Sequence, residues 1–305
     1  MSTLLRGLKS GPGDISVIVT VTDDGGSSGR LREELNVMPP GDIRNCMIAL
    51  SEDEHLMSRL FRYRFNSRGE LHGHSFGNLF LTALANVTGD FAEAVRLTSE
   101  VLAINGVIYP STNSQVSLRG QLADGTWIEG ETRITTSGKR IQRVCLEPAD
   151  ARPLDGALEA IENADIITLG PGSLFTSLIP NMLVKEIPEA IRRSNAVKVY
   201  VQNIMTQPGE TDGMNVVDHV NALMNHCGGQ MLFSKIVLNT GVPSPSSLAK
   251  YVAEGAEFVT IDRDCLKTMG LECVDRDLLS DDEVIRHDPD RLANTVYELI
   301  EYEKP

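Results

Sequence analysis

Short β-branched runs separated by amphipathic stretches constrain this chain more than any other feature. The runs cover 16–21 (Ser-Val-Ile-Val-Thr-Val), 165–169, 197–201, 235–238 and 258–261. Their apolar residues come in succession rather than alternately, the pattern of a strand buried on both faces, as in parallel sheets. Amphipathic stretches at 153–163, 184–193, 212–226 and 246–254 lie between the later runs. Parallel neighbours need crossover connections, so the alternation predicts a Rossmann-like α/β fold: a mostly parallel open sheet flanked by helices on both faces.

Residues 106–147 depart from this rhythm. The runs 106–109, 115–118, 126–128 and 141–145 are short and part-polar, with turn signals at 123–125 (Ala-Asp-Gly) and at Ser137-Gly138. They predict a small antiparallel β insertion over 111–147, read as a dimer arm or decorated edge in preference to a lid. No repeat, low-complexity segment or long linker interrupts the chain, so one domain is expected over 1–305. Residues 1–8 read as a helix with no strand ahead of it. In a nucleotide-binding α/β fold a strand and a Gly-rich turn come first. Both are therefore expected to be missing here, and with them a central strand and a phosphate loop.

Composition narrows the function classes. The 305 residues are 41% hydrophobic and 23% charged, an ordinary globular balance, with a formal net charge of −14. That charge argues against non-specific nucleic acid and anionic membrane partners. An anionic ligand must meet a local cluster of arginine, backbone N–H groups or metal. The five cysteines (Cys46, Cys145, Cys227, Cys265 and Cys273) form no metal-binding or redox pair, which fits reduced thiols. No apolar stretch is long enough to span a membrane. The expectation is a cytoplasmic protein without membrane insertion.

The densest polar motif follows the first strand: Thr22, Asp23, Asp24, Gly25, Gly26, Ser27, Ser28, Gly29 and Arg30. Carboxyl ends of parallel strands are where such folds place ligands. The glycines allow close backbone approach, the serines offer hydroxyls, and Arg30 suits phosphate. Asp23 and Asp24 could hold Mg²⁺ or a ribose hydroxyl. Next, Pro39-Pro40-Gly41 leads to Asp42, read as the cap of a helix over 43–50, with Arg44 and Asn45 in its first turn. A helix start carrying arginine attracts anions. His74 and Asn78 stand at the start of a further apolar helix, in the run Gly-His-Ser-Phe-Gly-Asn. The residues show no acid partner that would make His74 a matched general base.

A second strand–loop–helix site contains Gly170, Gly172, Ser173, Thr176 and Ser177, read as a neutral anion cradle. After the run 197–201 come Asn203, Thr206, Gln207, Glu210, Thr211 and Asp212 at the same sheet edge. Asn203 and Thr206 are the ligand candidates, whereas Thr211 or Asp212 would cap the next helix. His219 and His226 on that helix read as packing residues, since nothing completes a metal set.

Together these motifs resemble the YvcK-like, gluconeogenesis-factor branch of the CofD-like family. The resemblance extends from Leu4-Leu5-Arg6-Gly7 to Arg286 and rests above all on the 23–30 run and on Gly170–Ser177. It implies contact with ligand at Tyr251 and Arg286, the former stacking on a base or ribose and the latter pairing with a diphosphate. It also implies a homodimer, regulatory partner proteins, and a nucleotide or nucleotide-sugar ligand such as UDP-N-acetylglucosamine or an NAD-like dinucleotide. Two functions stay open. One is a nucleotide-sugar-binding regulator required for normal cell shape during gluconeogenic growth. The other is a transferase of the 2-phospho-L-lactate transferase type, using a nucleotide-activated donor with Mg²⁺. The residues supply phosphate and ribose contacts but no convincing nucleophile or acid/base pair, which favours the regulator.

Overall fold

The computed structural model of the chain describes residues 1–52, 56–66, 68–280 and 284–301. Its strands are β1 (Ser16–Val19), β2 (Val107–Pro110), β3 (Ser117–Leu122), β4 (Trp127–Glu129), β5 (Ile141–Glu147), β6 (Ile166–Leu169), β7 (Val197–Val201), β8 (Lys235–Asn239) and β9 (Glu272–Arg276). β6, β7, β8 and β9 pair in that order, all parallel, and β1 pairs parallel with β2. The expected antiparallel insertion is present as a separate sheet of order β4-β3-β5.

Side-chain alternation along the parallel strands assigns the two helical layers. Val199, Val201 and Val237 pack with Leu4, Leu292, Val296 and Leu299, on the helices Ser2–Leu8 and Pro289–Glu301. Tyr200, Ile236 and Leu238 point to the other face, into the core shared with Val216, Val220 and Leu223 of the helix Val216–His226. Residues two apart on a strand share a face, so continuous apolar runs build both layers at once. On the first face the helices Ser2–Leu8 and Pro289–Glu301 meet closely. A Cβ on Gly7 would lie 2.0 Å from the Pro289 carbonyl oxygen, so glycine sets this approach.

Two expectations are corrected. The run 258–261 is not a sheet strand; Phe258 makes only an isolated antiparallel bridge to Met205. Its main chain instead secures loops: the Val259 N–H donates to the Ile204 carbonyl and the Val216 N–H to the Thr260 carbonyl. The fourth strand of the sheet is β9, which the pattern missed. β9 lies at the sheet edge and three of its five residues, Glu272, Asp275 and Arg276, are exposed, so it lacks the apolar signature of a buried strand. The helix Val216–His226 is capped not by Thr211 or Asp212 but by Asn215, in a reciprocal capping box with Asp218.

The parallel strands also form two hydrogen-bonded parts rather than one continuous sheet. β1 pairs on one side with β2, and β6 on one side with β7. Between their other edges runs a largely apolar slot of about 490 Å³, lined by Ile15, Val17, Ile166 and Thr168 and by Leu5 and Leu178 from the layers above and below. No described strand occupies it.

Candidate ligand-binding site

The carboxyl ends of β1, β6, β7 and β8 bring four polar loops to one edge of the molecule, the position at which parallel sheets present ligand sites. The first loop joins β1 to the helix Gly26–Leu35. Thr20 and Thr22 pair their buried hydroxyls at 3.1 Å. Asp23 Oδ1 accepts the Gly25 N–H at 2.9 Å, closing a tight turn ahead of the helix. Gly26 sits at φ +47°, and a Cβ on Gly29 would lie 2.0 Å from the Asp24 carbonyl oxygen. Asp24 Oδ1 accepts both the N–H and the hydroxyl of Thr132, at 2.8 and 2.7 Å. Asp24 thus ties the loop to the β insertion.

Ser27 and Ser28 face the helix Phe76–Thr88. The Ser75 N–H donates to Ser27 Oγ at 3.4 Å, and the same hydroxyl shares a hydrogen bond with His74 Nδ1 at 3.0 Å. Asn78 Nδ2 donates to Ser28 Oγ at 3.3 Å. Burial first, and then the nearby Arg30 cation, holds His74 below the ordinary imidazole range. Sequence reasoning paired neither serine with these residues, because the partners lie about fifty positions away. Arg30 itself turns outward: its guanidinium donates to the carbonyls of Glu70 and His72, at 3.4 and 2.7 Å. The cation assigned to phosphate is therefore used to hold the 70–72 turn.

Behind this loop lies a group of carboxylates. The helix Gly41–Leu50 is capped at Pro40 without a side-chain bond, so Asp42 lies inside the first turn rather than at the cap. Burial, and next the charge of Asp23, raises the Asp42 carboxyl to about 6. Gly41 keeps the backbone low here: a Cβ on it would lie 2.2 Å from Asp23 Oδ2 and 2.5 Å from Ser28 Oγ. Glu131, from the insertion helix Glu131–Thr135, joins the group, and Asp23, Asp42, Glu210 and Asp24 add to its burial in raising its carboxyl to about 9. Arg44 is buried beside them and donates to Asn45 Oδ1 at 2.7 Å.

The insertion is thus neither a free arm nor a plain edge. Besides Asp24–Thr132, it meets the loop after β7, where a Cβ on Gly209 would lie 1.9 Å from the Thr135 carbonyl oxygen. The helix Glu131–Thr135 forms a wall between the two loops.

The Gly170–Ser177 region forms the opposite wall. Gly170 sits at φ +90°, and the Gly170–Pro171 peptide is cis. Asn203 brackets Gly172, donating from Nδ2 to its carbonyl at 2.8 Å and accepting its N–H at 3.3 Å. The Ser173 hydroxyl donates to Gln207 Oε1 at 2.8 Å. The N–H groups of Phe175 and Thr176 donate to Glu210 Oε1 at 2.6 and 3.2 Å, and the Thr176 hydroxyl to Glu210 Oε2 at 3.3 Å. The cradle expected to be neutral is filled by an internal carboxylate. Gly172, Ser173 and Ser177 remain half-buried.

Thr206 is likewise used internally, exchanging bonds with the Glu257 main chain at 2.7 and 2.8 Å. The Tyr251 hydroxyl donates to the Ile285 carbonyl at 3.3 Å, which ties the helix Pro245–Ala253 to the segment that carries the exposed Arg286. His219 Nδ1 meets the Tyr200 hydroxyl at 3.2 Å, and His226 Nε2 accepts the Val144 N–H at 2.9 Å. Both are packing residues, as read.

Comparison with known proteins now decides the family. The model of 2-phospho-L-lactate transferase CofD matches residues 1–279. The chain belongs to the CofD family. A gluconeogenesis factor from Halalkalibacterium halodurans is 47% identical over 299 residues, which are 98% of this chain and 92% of that one. Another from Bacillus subtilis is 46% identical over 301 residues, 98% of this chain and 95% of that one. A relative from Nostoc sp. is 48% identical over 298 residues; the match covers 97% of this chain and 65% of that relative's length. The crystal structure of a UPF0052 family member from Bacillus halodurans superposes with a TM-score of 0.94 at 47% identity, covering 97% of this chain and 95% of that one.

Of the two acids expected to hold magnesium, Asp23 closes the turn at Gly25 with Oδ1 and Asp24 bonds Thr132. Among the described residues no three His, Cys, Asp or Glu side chains are arranged as a metal set. The structurally central residues that sequence reasoning left unassigned are Glu131, Thr132 and Glu210. Glu210 was visible as a polar group at the edge, but nothing local signalled that its carboxylate turns inward.

Proposed function

We propose that this chain is a nucleotide-sugar-binding regulatory protein, a gluconeogenesis factor that supports normal cell shape during gluconeogenic growth. The relatives from Halalkalibacterium halodurans and Bacillus subtilis carry the name gluconeogenesis factor. The observation that carries the reading is the bond from the Tyr251 hydroxyl to the Ile285 carbonyl, which holds Tyr251 against the segment that carries Arg286. An aromatic ring for a base and a guanidinium for a diphosphate are the two contacts such a ligand needs. Catalysis is disfavoured because the Ser27 hydroxyl is buried against His74, whose pKa burial lowers and which has no carboxylate hydrogen bond among the described residues.

The reading extends to a cytoplasmic protein acting through partner proteins, in which a bound nucleotide-sugar changes the surface those partners meet. No described helix is long and apolar enough to cross a membrane. The test is calorimetric titration with UDP-N-acetylglucosamine and with NAD, followed by analysis of the recovered ligand. Intact ligand after prolonged incubation, and affinity lowered about tenfold or more in Tyr251→Ala and Arg286→Glu, are expected. Release of a nucleoside phosphate would replace this reading with the transferase. Absence of binding by both ligands would sink it.

A further inference from the structure

Positive charge gathers in this acidic chain around Arg44, on the side away from the 22–30 loop's hydroxyls. Arg6, Arg44, Arg62 and Arg64 line a single pocket of about 230 Å³, together with Ser2 and Asn45. They come from three separate places: the helix Ser2–Leu8, the first turn of the helix Gly41–Leu50, and the end of the helix Leu56–Arg62 with the residues after it. Tertiary structure alone brings them together. A formal net charge of −14 over the chain makes four converging guanidinium groups a local exception that general surface composition does not explain.

Arg44 shows that the pocket is built rather than incidental. It is only 7% exposed, and its Nε is a buried donor without a hydrogen-bond partner. Leaving such a donor unmade is costly, so a buried one calls for an explanation. Arg44 Nη2 donates to Asn45 Oδ1, which turns the Asn45 amide so that its Nδ2 remains a donor beside the pocket. Burial, followed by the like charge of Arg64, disfavours the Arg44 cation, while Asp23 and Asp42 on its far side oppose this. The other three arginines are exposed and line the same pocket, and Arg64 Nη1 donates to the Gly73 carbonyl at 3.1 Å, which leaves its remaining N–H donors for the pocket. Planar forked donors converging on one small volume match the tetrahedral oxygens of phosphate better than they match a lone carboxylate.

We propose that Arg6, Arg44, Arg62 and Arg64 form a binding pocket for a phosphoryl dianion, either inorganic phosphate or the terminal phosphate of a small phosphorylated molecule. Arg44 supplies the buried anchor, Arg6 and the remaining donors of Arg64 meet the other oxygens, and Arg62 adds positive charge at the rim. The pocket stands on its own arginines and does not depend on Tyr251 or Arg286. Phosphate binding can therefore hold while the nucleotide-sugar reading fails, and the reverse.

The test is calorimetric titration of the intact chain with inorganic phosphate, with glucose 6-phosphate and with uridine diphosphate, at low and at high salt. The variants are Arg6→Ala and Arg64→Ala, with Arg64→Lys as a charge-retaining control. Loss of one guanidinium is expected to weaken binding about tenfold, with partial recovery in the lysine variant. High salt should weaken the wild type, because the exposed arginines are screened. Binding of phosphate alone identifies the free ion; preference for glucose 6-phosphate or uridine diphosphate identifies an organic phosphate. No binding by any of the three, or binding unchanged in both alanine variants, overturns the pocket. Arg6→Ala guards against misfolding, since that side chain is exposed at the surface, and circular dichroism of each variant checks that the fold is retained.

Discussion

The Glu210 carboxylate accepts the main-chain N–H of Phe175 at 2.6 Å, across the base of the Gly170–Ser177 wall. Through the same two oxygens it also holds the Thr176 N–H and hydroxyl. A loop whose sequence suggests an anion cradle is thus already satisfied by an anion from within the chain, thirty-five residues further on.

Glu210→Ala leaves these three buried donors without an acceptor. The cost of an unmade buried hydrogen bond predicts a loss of about 3 kcal/mol, read as a fall in Tm of roughly 6 °C. Glu210→Gln keeps one carbonyl oxygen and should lose about half as much. Calorimetric melting of the two variants beside wild type checks this; equal and negligible losses would mean that the carboxylate is not structural.

Asp24→Ala should release the insertion from the cleft. Its carboxylate receives both bonds from Thr132, and hydrogen bonds to charged groups are worth about 1.5–3 kcal/mol each at most. Partial exposure lowers the expected total to about 2 kcal/mol. Hydrogen exchange gives the specific readout: the Thr132 amide should exchange faster while amides in β8 stay protected.

Glu131 makes the site sensitive to alkali. Burial and the surrounding carboxylates raise it to about 9 in the folded chain, above its ordinary value of 4.5. Between these values the folded state binds the extra proton, so this group's contribution is full below about 4.5 and is lost as pH rises through about 9. Urea midpoints should therefore fall less steeply from pH 5 to pH 9 in Glu131→Gln than in wild type. An unchanged slope would place the Glu131 carboxyl in water.

His219 and His287 act at the opposite end of the scale. Burial lowers both to about 4. The unfolded chain then takes up protons first, and stability is lost as pH falls from the ordinary value of 6.5 towards 4. His219→Gln and His287→Gln should each reduce the drop in urea midpoint between pH 6.5 and pH 4.5, whatever they cost at neutral pH. A drop of wild-type size in both variants would contradict the assignment.

Legibility of the fold followed burial. β7 and β8 are flanked on both faces, so their successive apolar residues announced them, and Val199 and Tyr200 take opposite layers as the strand period requires. β9 has water on its open side and carries exposed Glu272, Asp275 and Arg276, so no apolar run marked it. The run 258–261 looked like a strand because Val259 is fully buried, but it is buried beneath loops and not within a sheet.

The amino-acid sequence by itself determined the α/β architecture, the antiparallel insertion, the CofD family and the strand ends at which polar residues gather. These follow from local periodicity and from residue types that lie together along the chain. Only the tertiary structure decided which of these polar groups are satisfied internally. Arg30 serves carbonyls of Glu70 and His72, Thr206 serves Glu257, and Glu210 fills the loop expected to hold phosphate. It also gathered Arg6, Arg44, Arg62 and Arg64 around one pocket. Hydrogen bonding and charge act over a few ångströms in space irrespective of separation along the chain, and one sequence read locally does not contain those distances.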